Sequence, residues 1–111
     1  MTSPEERLAE MGLAVPEVAK PVAAYVPAVR SGDHVFTSGQ LPMRSGELMV
    51  TGKVGGEVTA EEAYACAQQC VLNAIAAVKS EIGDLSRVVR VVKVVAFIAS
   101  TPDFTGQPGV A

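Results

Sequence analysis

Residues 59–99 read TAEEAYACAQQCVLNAIAAVKSEIGDLSRVVRVVKVVAFIA, and two elements of different period lie back to back in them. Thr59 and Glu62 stand at the capping-box spacing, and Glu61 and Glu62 place negative charge where a helix N-terminus is positive. Ala67, Val71, Ala74, Ile75, Val78 and Ile82 then recur at intervals of three and four, which predicts one apolar stripe, with Gln68, Gln69, Asn73 and Lys79 on other faces. Gly83 supplies a left-handed stop. From 88 to 99 both alternating sets of residues are mainly apolar, the pattern of a central strand covered on each side.

Upstream, Pro4, Pro16 and Pro21 interrupt any long element, leaving room for a short helix near Glu5 to Met11. Ala24, Tyr25, Val26 and Val29 lead into Ser31-Gly32-Asp33, and His34-Val35-Phe36-Thr37 follow in β-prone residues, so this region reads as a hairpin. Pro27 cannot donate to a ladder and puts the first strand at an edge or a bulge. A third strand over 47–51 follows the Arg44-Ser45-Gly46 turn, ahead of a passage holding Gly52, Gly55 and Gly56. After Thr101 and Pro102, residues 103–111 hold turn formers and no further strand. Hairpin, helix and strand together make a mixed α/β domain.

The chain has 111 residues, 49% hydrophobic and 19% charged, with mean hydropathy +0.30, which suits one folded domain and excludes a disordered tail. Its most apolar run is broken by Arg90 and Lys93 and is too short for a membrane span. The early Glu5, Glu6, Arg7 and Glu10 do not make a secretory signal, so the expected compartment is the cytoplasm. A net charge of -3 and five aromatic rings, none of them Trp, argue against a nucleic-acid partner. One histidine and two cysteines cannot complete a common zinc site, and Cys66 and Cys70, four apart on one helix, are not placed to bridge. No metal is expected. A two-sided strand with one long helix leaves apolar surface that further chain or a second subunit must cover.

Thr37-Ser38-Gly39-Gln40-Leu41-Pro42 is the most pointed stretch for chemistry. Glycine allows a backbone N–H to approach a ligand and Ser38 adds a hydroxyl, although a Ser-Gly pair also simply ends a strand. Tyr25 fits either a pocket wall or half-buried packing. Nothing basic in the sequence around Cys66 and Cys70 would activate their thiols, so they read as helix packing. His34 beside Asp33 reads as a surface turn histidine rather than a general base. Asn73, Arg90 and Lys93 are candidates for polar or anion contacts, against solvated-surface readings for each. Phosphate-binding glycine loops and serine-hydrolase elbows are absent from the sequence.

Tyr25-Val26, the turn at 31–33, Val35 through Pro42, a capped helix carrying Asn73 and ending at Gly83, then Val91-Val92-Lys93-Val94, Phe97-Ile98 and Asp103-Phe104 come in an order that resembles the Rid family. These are the reactive-intermediate deaminases, also called YjgF/YER057c/UK114 and endoribonuclease L-PSP. The resemblance covers about 22–104. It implies a chorismate-mutase-like fold, a mixed sheet with helices on one face, and a homotrimer whose sheets form a central barrel. It also implies cofactor-free hydrolysis of imines and enamines such as 2-aminoacrylate to 2-keto acids and ammonia, in clefts between subunits. The matching site positions are Tyr25 lining the cleft, and Ser38 and Gly39 for the hydroxyl and the backbone N–H at the ligand, with Ser38 as the catalytic candidate.

Three departures accompany the match. Pro102 stands where the family has an asparagine, and the family's carboxylate-binding arginine and water-positioning glutamate belong to later strands not found in these 111 residues. The expectation is therefore one Rid-type domain over 1–111, incomplete at its C-terminus and preceded by an extension over about 1–21, inactive on its own. Nothing in the sequence promotes Arg90 to replace that arginine; only robust turnover by the 111-residue chain would make Arg90 or Arg30 the next residues to mutate. A non-catalytic trimeric module holding a small carboxylate is the alternative, and an endoribonuclease-like translation inhibitor the third reading.

Overall fold

A computed structural model describes residues 2–111. Its longest element, α2 (Ala60–Ile82), is capped as its sequence dictates. Thr59 Oγ1 accepts from the Glu62 N–H at 3.1 Å, and Glu62 Oε1 accepts from the Thr59 N–H at 3.1 Å. Gly83, at φ 79°, turns the chain out of the helix while its N–H donates to the Lys79 carbonyl. A shorter α1 (Pro4–Glu10) carries the same reciprocal cap through Ser3 and Glu6 and buries no residue.

Strands β1 (Ala28–Ser31) and β2 (His34–Thr37) pair antiparallel, with Ala28 opposite Thr37 and Ser31 opposite His34. Pro27 lies just before the ladder rather than within it, and its carbonyl accepts the Ser38 N–H at 2.9 Å. The expected third strand is shorter than 47–51. It is β4 (Glu47–Leu48), joined to β3 (Met43–Arg44) by Ser45 and Gly46, both at positive φ, a tight hairpin that closes after two residue pairs.

Two expectations are corrected. Residues 88–99 form no strand, and 88–97 are exposed throughout, Val89 at 96% and Phe97 at 95%, while Ile98 packs on the core. Among the described residues no strand lies beside 89–98, so alternation that fits a covered strand has nothing to cover it. The stretch is pinned at its ends, where Val88 N–H donates to Leu85 O and Ala99 O accepts from Val54 N–H. The second correction concerns α2, whose buried face is Ala63, Gln69, Leu72, Asn73, Ala76 and Ala77, with Val71 of the expected stripe exposed. The amides of Gln69 and Asn73 face inward, where Asn73 donates to the backbone carbonyls of Leu41 and Met43.

Helix α2 packs on β1, β2 and β3, a mixed α/β arrangement. Beside it, Val54, Val58, Ala63 and Val110 form a small core with Val50, Ala67, Ile98 and Phe104 against it. Val110 arrives on α3 (Gln107–Val110), a turn of helix where the sequence suggested only turn formers; Gln107 Nε2 fixes it by donating to Ser100 Oγ and the Phe104 carbonyl. Among the described residues no helix is long and apolar enough to cross a membrane.

Candidate functional site

The end of β2 and the loop before β1 converge. Ser38 donates twice to the Pro27 carbonyl, through its N–H at 2.9 Å and its Oγ at 3.3 Å, which locks 38 against the entry to β1. Gln40 folds back, its Nε2 donating to the Ser38 carbonyl at 3.3 Å and to Ser38 Oγ at 3.5 Å. On the other side Tyr25 Oη accepts the Val22 N–H at 3.2 Å, curling 22–25 into a loop that faces the strand end. Between them lies a cavity of about 20 Å³ lined by Lys20, Tyr25, Ser38, Gly39 and Gln40, with Pro27, Leu41 and Met43 among its apolar walls.

All three candidates from the sequence, Tyr25, Ser38 and Gly39, therefore line one space. The Ser38 hydroxyl proton is engaged by Pro27 and an oxygen lone pair by Gln40, so this serine orients and accepts; it has no basic partner to make it a nucleophile. A Cβ added at Gly39 would meet nothing within 4 Å, so the glycine is required by no contact within the chain.

Asn73, a candidate for polar contacts set against a solvated helix face, is 2% exposed and makes such contacts behind the cavity wall. Its Nδ2 donates to the carbonyls of Leu41 and Met43, each at 3.0 Å, and its Oδ1 accepts from Gln69 Nε2 at 3.0 Å. Gln69 Oε1 in turn accepts from Arg44 Nε at 3.4 Å. This relay holds the 41–43 segment on α2. The Gln69 and Asn73 pair at i and i+4 was the available signal for it.

The remaining candidates lie elsewhere. Arg90 and Lys93 are on the exposed 88–99 stretch, and His34 is an exposed strand residue with its ring 6.2 Å from that of Phe36. Cys66 and Cys70 are free thiols, both pushed up from the ordinary thiol value chiefly by burial, with the Glu62 carboxylate adding to the effect on Cys66. Both are thereby less nucleophilic.

The sequence matches a family model over residues 5–103, described as "YjgF/chorismate mutase-like, putative endoribonuclease". The chain belongs to this YjgF family. It is 39% identical over 104 residues to Protein TCP17 of Trypanosoma cruzi, covering 94% of this chain and 65% of that protein. The solved structure of Agrobacterium tumefaciens Atu1372, a protein of unknown function, superposes at TM-score 0.84 with 43% identity, covering 96% of this chain and 64% of Atu1372. A Shewanella oneidensis structure described as a putative endoribonuclease superposes at TM-score 0.73 with 42% identity, over 78% of this chain and 57% of that one. This YjgF-family chain thus has the chorismate-mutase-like fold and spans between 57% and 65% of the length of these relatives.

Proposed function

We propose that this YjgF-family domain handles small imines and enamines of the 2-aminoacrylate type, hydrolysing them to 2-keto acids and ammonia. The observation that carries the reading is the convergence of Tyr25, Ser38 and Gly39 on one small cavity. The chemistry asks little of the protein. Protonation of the enamine carbon gives an iminium; water adds to its carbon as the C=N electron pair moves to nitrogen, a proton passes from the added water to that nitrogen, and the C–N bond breaks to release ammonia as the hydroxyl gives up its remaining proton and C=O forms, returning the proton taken up at the start. Orientation and placed polar groups are enough to accelerate these steps, and no nucleophilic side chain is needed.

The family resemblance implies a carboxylate-binding arginine and a water-positioning glutamate as further members of such a site, and the relatives are longer than this chain, so the activity is to be tested on a chain of their length as well as on these 111 residues. Three copies joined as a homotrimer, with ligand in the clefts between subunits, account for the two open faces of 88–99. The setting is cytoplasmic, with no metal, cofactor or membrane partner.

Ammonia release from 2-aminoacrylate generated in situ is the test. Release above the spontaneous rate by the longer chain, lost in Gly39→Val, supports the deaminase; 2-keto acid binding with no release by either chain favours a carboxylate-binding module instead. The description of the Shewanella neighbour makes RNA cleavage a third reading, which the net charge of -3 opposes. RNA degradation by either chain without ammonia release would favour it over the deaminase.

A further inference from the structure

The cavity has a charge of its own. Lys20 is the one charged residue among those lining it, and no carboxylate lines the cavity to neutralise it. Arg30 and Arg90 are not part of the lining, and Arg30 Nε is engaged with the Gly32 carbonyl at 3.1 Å. Lys20 is brought there by the loop behind it: Pro21 fixes the backbone, and the bond from Val22 N–H to Tyr25 Oη closes the loop toward the strand end.

The hydrogen-bond inventory points the same way. Tyr25 Oη already accepts from Val22, so its own proton is available to donate. Among the described residues the Gly39 N–H has no backbone partner. Ser38 and Gln40 satisfy one another and Pro27, leaving the donors as the unmatched groups. A cationic residue, a phenol and a glycine whose N–H has no backbone partner thus line a cavity of about 20 Å³, room for one or two water-sized groups such as the oxygens of a carboxylate, since one water needs roughly 10–15 Å³ by this measure.

We propose that Lys20 is the carboxylate anchor of this chain, holding the acid group of a small 2-keto or 2-imino acid in the Tyr25, Ser38 and Gly39 cavity. The inference rests on the reading of that cavity as the ligand site. Lys20 is solvent-exposed, so replacing it does not disturb the core.

Pyruvate and its neutral amide, pyruvamide, are titrated by calorimetry into the wild-type chain, Lys20→Gln, Lys20→Arg and Gly39→Val, each verified as folded by circular dichroism. Loss of the charge-assisted contact should weaken pyruvate about tenfold in Lys20→Gln, leave pyruvamide unchanged, and be largely rescued in Lys20→Arg. Raising the salt concentration should weaken pyruvate binding to the wild type but not to Lys20→Gln. Equal pyruvate affinity in the wild type and Lys20→Gln, with binding still lost in Gly39→Val, overturns the anchor and leaves the cavity as the site. Unchanged binding in Gly39→Val overturns the site and the anchor with it. Absence of pyruvate binding to the wild type also overturns the anchor, while ammonia release by the longer chain decides separately on the deaminase.

Discussion

Asn73 satisfies two backbone carbonyls that would otherwise lie against an apolar helix face, and both belong to the segment walling the cavity. Leaving buried acceptors unpaired costs more than a hydrogen bond gains, so Asn73→Ala should lower stability by about 2–3 kcal/mol in urea unfolding. A change below about 0.5 kcal/mol would mean that water replaces the amide without loss. The burial of this residue is not legible in the sequence. Gln69 and Asn73 look like solvated polar positions because the carbonyls bonded to Asn73 come from residues 30 and 32 positions earlier, which no local pattern reports. Ser38 and Gly39 were legible because their features are local: a β-prone run ending in a hydroxyl and a glycine. Lys20 was not, because the fold of 21–25 places it.

At the scale of elements, the two ends of α2 and both hairpin turns follow from short-range rules of capping and φ preference, and the structure has them where those rules put them, whereas the buried face of α2 departs from its apolar period. The 88–99 stretch departs as well, because alternation identifies apolar residues and says nothing about what lies beside them. Its firm end is the bridge to Val54, next to Gly55 at φ 93°, where a Cβ would stand 2.6 Å from Thr101 Oγ1 and 3.1 Å from Phe104 Cβ. Gly55→Ala should therefore cost about 2 kcal/mol or more, combining left-handed strain with a clash. Gly39→Ala, with nothing within 4 Å of the new atom, should leave the melting temperature within about a degree or two. Equal melting temperatures for the two variants would contradict the packing of the glycine-rich passage on 101–104.

For the whole molecule, the exposed valines and Phe97 of 88–99 form an apolar surface on a net-acidic chain, and such surfaces associate. Sedimentation at tens of micromolar is expected to give a species of three times the chain mass, displaced toward monomer by Val92→Lys. A monomer that binds no hydrophobic dye would contradict the proposed trimer. The central claim, that the cavity between the 21–25 loop and the end of β2 is where a small carboxylate ligand sits, is tested most directly by amide chemical shifts during a pyruvate titration. The account predicts saturable shifts concentrated at Lys20, Tyr25, Ser38, Gly39 and Gln40, with the exposed 88–99 amides still; shifts confined to 88–99, or no saturable shift at the cavity, would contradict it.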